Sequence, residues 1–307
     1  MTTLTRRNLL TTGAALPLAG LAAGAARAEA PMLGASMPPY RRFMIGDFEV
    51  TTILGGSVAR DNPQGIFGMN VSEEDFAAVS KANFLSTDAT QFFFTPTVVN
   101  TGSELVLFDT GLNAAGTTAA LASAGYTPDQ VDVVVLTHMH GDHIGGLMNE
   151  GAPTFANARY ATGQVEYDHW AGAENEGFEA NVRPMADMMT FLGDGDDVVG
   201  GITGMAAFGH TPGHMVYRID SAGQGLVIFA DLANHPVWSL ARPEWEVRFD
   251  ADKEGAAAAR RNVLGMIAAD RIPAIGYHMP FPAVGYVDTG AGDAEFQWVP
   301  EAGQLAG

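Results

Sequence analysis

The stretch VDVVVLTHMHGDHIGG occupies residues 131–146 and joins an apolar run to a cluster of polar side chains. Residues 131–136 are apolar with almost no alternation, which is typical of a buried strand. Three imidazoles and one carboxylate follow directly within six residues, namely His138, His140, Asp142 and His143. Because a loop can turn all four side chains to one point, whereas a strand would alternate them, we expect a polar site here.

Side chains of this kind at this spacing favour a metal site. Imidazole and carboxylate ligands together suit zinc, iron, manganese or cobalt. Any one of these residues alone would more often be a surface group or a hydrogen-bonded core group. Four of them in a core would each need a polar partner, because an unpaired buried polar group is costly. A bound cation would meet that need for all four.

Later parts of the sequence place further His and Asp residues where predicted strands end. Residues 209–214 read GHTPGH and form a loop between two predicted strands. Asp231 and His278 each follow an apolar run that we predict to be a strand. Since open α/β sheets build their sites at the carboxyl ends of strands, we expect these side chains to join the same cluster.

The composition excludes several other kinds of site. The chain has 307 residues, 47% of them hydrophobic and 17% charged, which indicates a globular protein. It has no cysteine, so disulfides, Cys-ligated zinc, iron–sulfur clusters and thiol nucleophiles are excluded. Its 16 basic and 35 acidic residues give a net charge of −19. That charge repels phosphate backbones, so we expect no nucleic-acid partner.

Taken together, these motifs resemble those of the metallo-β-lactamase-fold hydrolases. The resemblance rests on HMHGDH at 138–143, GHTPGH at 209–214, the Asp after a strand, the late His, and Asp109-Thr110-Gly111 after an earlier predicted strand. It runs from Phe43 to Val299. It implies an α/β fold, the four-layer αββα sandwich, in a single hydrolase domain over residues 43–307.

The resemblance also implies two divalent metal ions and their ligands. One ion would be held by His138, His140 and His214, the other by Asp142, His143 and His278, and Asp231 would bridge them. Asp109 and His210 would orient ligand imidazoles from behind, with an ordinary loop hydrogen bond equally open for His210. Zn²⁺ is the expected metal, and the same ligands accept Mn²⁺, Co²⁺ or Fe²⁺.

Two such ions imply hydrolysis by a hydroxide that bridges them, without a Ser or Cys nucleophile. We expect a hydrolase of ester-like bonds in small molecules, with Asp142 and Asp231 as its catalytic carboxylates. A glyoxalase II-like thioesterase and a sulfur dioxygenase-like enzyme with a single iron are the alternatives. A β-lactamase is disfavoured, because zinc β-lactamases place Cys where Asp231 stands.

Shorter stretches resemble one branch of the family, the methyl parathion hydrolase-like enzymes and related acyl-homoserine lactonases. They are GDFEV (46–50), VNTGS (99–103), AGYTP (124–128) and PFPAVG (280–285). This implies cleavage of lactones, aryl esters or phosphotriesters, and a carboxylic or lactone ester is the expected natural bond. Asn234 stands where many of these lactonases have Tyr, which favours the organophosphate-hydrolase-like enzymes. Candidate pocket residues are Phe93, Phe94, Trp170, Phe178, Asn234 and Trp238.

The N-terminal segment has the features of an export signal. Arg6 and Arg7 precede a weakly apolar run that ends in Ala26-Arg27-Ala28, which resembles a twin-arginine export signal over residues 1–28. We therefore expect a periplasmic or secreted bacterial protein with no stable membrane insertion. Residues 29–42 are Pro-rich and are predicted to form an arm. The arm and the hydrophobic tail near Phe296-Gln297-Trp298 could mediate a homodimer.

Overall fold

A computed structural model of the chain describes residue 32 and residues 36–305. The predicted export signal lies outside the described residues. The strands, in chain order, are β1 (Tyr40–Ile45), β2 (Phe48–Ile53), β3 (Gly56–Asp61), β4 (Ala89–Phe94), β5 (Thr97–Asn100), β6 (Leu105–Phe108), β7 (Val133–Leu136), β8 (Met148–Asn149), β9 (Ala152–Pro153), β10 (Arg159–Gly163), β11 (Met189–Leu192), β12 (Asp197–Val199), β13 (Ile202–Ala206), β14 (Met215–Ser221), β15 (Gln224–Ala230), β16 (Pro273–Gly276), β17 (Val284–Thr289) and β18 (Phe296–Pro300).

The α-helices are α1 (Glu73–Ala82), α2 (Ala114–Ser123), α3 (Gly141–Ile144), α4 (Gln164–Ala171), α5 (Glu176–Asn181) and α6 (Lys253–Asp270). Side chains cap the helices that begin after loops. The Ser72 hydroxyl accepts from the backbone N–H of Asp75 at 3.1 Å, which satisfies a free donor in the first turn of α1. Asp252 caps α6 in the same way, accepting from Gly255 at 3.0 Å. Within residues 36–305, none of the helices has the length and apolar character needed to cross a bilayer.

Two seven-stranded sheets and two small hairpins make up the β-structure of the described residues. The first sheet has the order β1-β2-β5-β6-β7-β10-β11, and the second has the order β12-β13-β14-β15-β16-β17-β18. Within them, β6, β7, β10 and β11 run parallel, as do β15 and β16. The hairpins are β3-β4 and β8-β9.

The two sheets pack face to face around a shared apolar core. Alternate residues supply it, such as Val133 and Val135 on β7 and Tyr217 and Ile219 on β14. The intervening Val134 and Leu136 face the other way, onto a second cluster with residues of α2, α3 and α5. The outer face of the second sheet packs on α6. The layers are therefore helix, sheet, sheet and helix, which confirms the predicted αββα sandwich.

The structure differs from the sequence prediction at three places in the sheets. The run of β-branched and aromatic residues over 92–101 predicts one strand, but it breaks at Thr95-Pro96, because proline supplies no N–H to a ladder. Its first half pairs in the β3-β4 hairpin, and its second half pairs with β2 and β6. The sequence of residues 285–299 predicts a single last strand, whereas the structure has two antiparallel strands there, β17 and β18. Tyr40 to Arg42, expected in the arm, belong to β1.

Candidate metal centre

Strand ends position the polar side chains of the candidate site. Asp109 follows β6, and His138 follows β7, its parallel neighbour. Asp231 and His278 follow β15 and β16, which are also parallel neighbours, in the opposing sheet. Because parallel strands end at the same edge, both sheets contribute side chains to one region between them.

The first group of converging side chains lies around His140. Its Nδ1 atom is 3.1 Å from His138 Nε2 and 3.1 Å from His210 Nε2. Asp231 approaches from the other sheet, with Oδ2 3.4 Å from His210 Nε2 and 3.9 Å from His138 Nε2. These four residues offer ligand atoms that lie within 4.8 Å of one another. Three imidazole nitrogens and a carboxylate oxygen thus meet in one small volume.

A second group adjoins the first and consists of Asp142, His143 and His278. His278 Nε2 is 3.3 Å from Asp142 Oδ2 and 3.2 Å from Asp231 Oδ2. His143 Nε2 is 3.3 Å from Asp231 Oδ1. Asp231 therefore lies between the two groups and reaches both, as expected for a bridging carboxylate.

Hydrogen bonds from behind fix the orientation of several imidazoles. Asp109 Oδ2 is 2.8 Å from His143 Nδ1, and the same carboxylate accepts from the backbone and hydroxyl of Thr137 at 2.9 and 2.8 Å. His278 Nδ1 donates to the backbone oxygen of Phe93 at 2.8 Å. The opposite nitrogens, His143 Nε2 and His278 Nε2, are thereby directed into the cluster.

Both histidines of the GHTPGH loop lie beside the first group: the ring centroid of His138 is 4.8 Å from that of His210 and 5.2 Å from that of His214. His210, predicted behind the ligands, lies in the first group, and its Nδ1 contacts Asp250 Oδ1 at 3.0 Å. His214, predicted as a ligand, lies at the entry to β14, and its Nε2 accepts from the backbone N–H of Asp231 at 3.3 Å. Asp250, which no sequence motif indicates, thus orients the imidazole of His210.

The imidazoles of the cluster differ in pKa: the environment lowers the pKa of some and raises that of others. Burial, reinforced by neighbouring imidazoles, lowers the pKa of His138 well below its ordinary value and that of His140 to about 4. Burial opposes the charge on His278 as well, but the carboxylates of Asp231 and Asp142 outweigh it and raise its pKa to about 10. Burial likewise disfavours the charge on Asp142, yet His143 and His278 lower its pKa to about 2. The carboxylates are thus anionic, and the cluster attracts positive charge.

The donor set fits divalent cations. His143 Nε2 and Asp231 Oδ1 are buried and have no hydrogen-bond partner among the described residues, which is costly unless another group satisfies them. The three nitrogens around His140 face one another, an arrangement that favours a shared cation over mutual hydrogen bonding. Imidazole and carboxylate ligands of this kind suit zinc and other first-row transition metals.

A cavity of about 380 Å³ opens onto the cluster and reaches His140, Asp142, Asp231 and His278. Its other walls are mainly apolar and include one basic side chain; they are formed by Val58, Arg60, Phe92, Phe94, Leu112 and Phe249. Within the β3-β4 hairpin, alternate residues share a face, so Phe92 and Phe94 face the cavity together. That alternation is a sequence signal for Phe92, whereas Phe249 lies in a loop with no such signal.

Only Phe94 among the predicted pocket residues lines this cavity. Phe93 is on the alternate face of β4 and contributes its backbone oxygen to His278. Phe178 belongs to the core beneath the first sheet, and Trp238 packs within an aromatic cluster against Phe76. Both side chains are therefore buried in packed clusters and not at the cavity wall, because core aromatics and pocket aromatics have the same sequence pattern.

The two remaining candidates act on the cluster from its sides. Asn234 is buried, and its Nδ2 donates to Asp231 Oδ2 at 2.8 Å, so it orients that carboxylate. Trp170 lies with its ring centroid 5.9 Å from that of His140, and its Nε1 donates to Glu166 at 2.6 Å. Neither residue lines the cavity. Glu166 is a buried carboxylate that the sequence reasoning missed, since a single Glu in a short helix carries no motif.

Comparisons with known proteins agree with this geometry. The family described as the metallo-beta-lactamase superfamily matches residues 95–274, more than half of the chain. An N-acyl homoserine lactonase of Bacillus cereus is 31% identical over 108 residues, which are 35% of this chain and 40% of the relative. The chain thus matches well under two thirds of that relative's length.

Solved structures share the fold over most of the chain. AidC, a dizinc quorum-quenching lactonase solved with the product N-hexnoyl-L-homoserine, superposes with a TM-score of 0.78 at 24% identity, covering 86% of this chain and 97% of AidC. The hydrolase AbOPH of the beta lactamase superfamily gives a TM-score of 0.80 at 24% identity, covering 87% and 99%. The family match establishes that the chain belongs to the metallo-β-lactamase superfamily, and the solved structures share its fold.

Proposed function

We propose that the chain hydrolyses carboxylic esters, lactones among them, with two divalent cations held in the cluster. His138, His140 and His210 would hold one cation, Asp142, His143 and His278 the other, and Asp231 would contact both. His210 is named here because its Nε2 faces His140, and His214, whose ring centroid is 5.2 Å from that of His138, stays the sequence-based candidate for the same position. When bound, the cations would lower the pKa of a water molecule between them and polarise the scissile carbonyl.

The single observation that carries the substrate class is the cavity against the cluster. Three phenylalanines, one valine and one leucine on its walls would exclude water from an apolar acyl or aryl group. Arg60 is on the same wall, and its guanidinium would donate to an oxygen of the substrate. A neutral ester with an apolar body fits these walls. Phosphotriesters, which are also neutral and apolar, would be secondary substrates.

The chain's own residues would orient the substrate and move a proton. Asp142 has the most exposed of the clustered carboxylates, with 23% of its side chain accessible, whereas that of Asp231 is 4% accessible. Its Oδ2 faces His278 and lines the cavity, so this carboxylate can take the proton released by the attacking water and pass it to the leaving oxygen. The hydroxyl of Tyr277 donates to the backbone oxygen of Asp142 at 2.6 Å and holds this residue in place.

A substrate panel tests the proposal. Protein loaded with Zn²⁺, Mn²⁺ or Co²⁺ is assayed with an N-acyl homoserine lactone, a plain aliphatic lactone, p-nitrophenyl acetate and methyl paraoxon. We expect turnover of at least one lactone or carboxylic ester, faster than turnover of methyl paraoxon, and loss of that turnover after chelation. A metal-loaded protein that hydrolyses none of the carboxylic substrates, or only S-lactoylglutathione as a thioesterase would, contradicts the proposal.

A further inference from the structure

Glu166 lies beneath the candidate metal centre, in the first turn of α4, and its side chain is fully buried. Both of its carboxylate oxygens are occupied. Oε1 accepts from the backbone N–H of Met139 at 2.9 Å and from Trp170 Nε1 at 2.6 Å. Oε2 accepts from the hydroxyl of Thr211 at 2.7 Å and from the backbone N–H of Gly213 at 3.0 Å. The four donors satisfy a buried carboxylate, which would otherwise be costly.

Three of these donors belong to the two loops that carry the imidazoles of the first group, and the fourth, Trp170, lies on α4 itself. Met139 stands between His138 and His140, whereas Thr211 directly follows His210. One oxygen of Glu166 thus holds one loop and the other oxygen holds the second loop. Met139 precedes Glu166 by 27 residues, and Gly213 follows it by 47 residues. No local backbone geometry therefore sets the separation of the two loops.

The contact between the second loop and α4 is close. A Cβ atom on Gly213 would lie 2.0 Å from the backbone nitrogen of Glu166, so any larger residue would push the loop away from the helix. The backbone N–H of Gly213 can reach the carboxylate only because of this approach. On the other side, the Trp170 ring, which Glu166 anchors, lies edge-on to His140.

We propose that Glu166 is a positioning residue that fixes the separation of the two loops, so that His138, His140 and His210 meet around one cation. This inference rests on the proposed metal centre, and not on the identity of the substrate. It assigns Glu166 no contact with substrate or metal. Outer partners of this kind change metal affinity ten- to a hundredfold in other metalloproteins.

The variant Glu166→Gln tests the inference at nearly constant volume. A glutamine has one acceptor oxygen, and its NH₂ group would face two donors on the other side. It can therefore hold only one of the two loops. Asp168→Asn is the matched control, since Asp168 is an exposed carboxylate on the same helix that accepts from Gln164 at 2.9 Å. Thr211→Val removes a single donor to Oε2 and serves as the milder second variant.

Three measurements are made on each variant: the Kd for Zn²⁺ by chelator competition, the visible absorption of the Co²⁺-loaded protein, and the unfolding midpoint with and without metal. We expect Glu166→Gln to weaken the tighter Zn²⁺ site by roughly 10- to 100-fold and to change the Co²⁺ spectrum. The midpoint gained on metal binding should shrink. Thr211→Val should shift all three in the same direction by less, and Asp168→Asn should leave them unchanged.

A residue that only supports packing would give a different result. The midpoints of the metal-free and metal-loaded forms would then fall equally, with the Zn²⁺ affinity and the Co²⁺ spectrum unchanged, and the inference would be overturned. If Glu166→Gln does not fold, wild-type Zn²⁺ affinity in Thr211→Val overturns it instead. A wild-type chain that binds no metal refutes the proposed function itself, so the two failures are distinguishable.

Discussion

The Nδ1 atom of His210 lies 3.0 Å from Oδ1 of Asp250, forty residues farther along the chain. The other oxygen of Asp250 accepts from the buried guanidinium of Arg260 on α6. Arg260 also donates to the backbone oxygens of Leu232 at 2.9 Å and Pro243 at 3.0 Å. The series of hydrogen bonds from Arg260 on α6 through Asp250 thus turns Nε2 of His210 toward His140, and it connects this imidazole to the helix that packs on the second sheet.

Replacing Asp250 by Asn should destabilise the fold strongly. The Arg260 guanidinium is 1% exposed, and without its carboxylate it would be a buried charge without a counter-ion. Removing one partner of a buried ion pair costs about 3–5 kcal/mol. The free energy of unfolding, measured with urea on metal-free protein, should fall by that amount. Glu254→Gln, at an exposed position in the first turn of α6, should change it by less than about 0.5 kcal/mol. Equal values for the two variants would contradict the prediction.

The positions of His210 and His214 lead to a second prediction. His210→Ala should reduce the metal content of the purified protein from two ions per chain to one, because the first group loses an imidazole. Turnover should fall by more than about a hundredfold, which exceeds the loss of about ten- to a hundredfold expected for a residue that only orients a metal ligand. His214→Gln should keep both ions, since His214 Nε2 accepts from a backbone N–H. His169→Ala, which removes an exposed imidazole, is the control. Elemental analysis decides, and the reverse pattern would restore the sequence-based assignment.

The sequence was sufficient for the parts of the site that local order determines. His138, His140, Asp142 and His143 follow one apolar strand within a few residues, so the strand and the loop bring them together with little help from elsewhere. The fold followed from these motifs. The homodimer and the export route stay predictions.

Contacts between distant segments decide the rest. His210 and His214 lie four residues apart in one motif, and the contacts that distinguish them, with Asp250 and with the backbone of Asp231, are visible only in the structure. The cavity wall is similar, because Phe92 and Phe249 meet edge-on, 6.4 Å apart, across a separation that no pattern encodes. A sequence shows that an aromatic residue is apolar, but not whether a core or a cavity receives it.

Metal affinity should rise with pH. In the metal-free protein, Asp231 and Asp142 raise the pKa of His278 to about 10, so its imidazole is protonated at pH 7. A cation must displace that proton, and binding therefore tightens as the pH rises toward this value. The Kd for Zn²⁺ should fall about tenfold per pH unit between pH 6 and 8 for each proton displaced. Chelator competition at pH 6, 7 and 8 measures it. A Kd independent of pH would show that no protonated imidazole binds the metal.

Phe249 should set the preference for longer acyl groups. Its side chain lines the cavity and is 43% exposed, so a bound substrate could cover it. Without the Phe249 ring, a bound acyl chain would lose apolar contact at a cost of about 1 kcal/mol. This is a part of what the burial of a whole Phe side chain contributes. For Phe249→Ala, kcat/KM for p-nitrophenyl hexanoate should fall about fivefold, while the value for p-nitrophenyl acetate should hardly change. Phe84→Ala is the control, because Phe84 is 99% exposed and lies outside the cavity. If hexanoate and acetate lose activity equally, Phe249 supports the site without contacting the acyl chain.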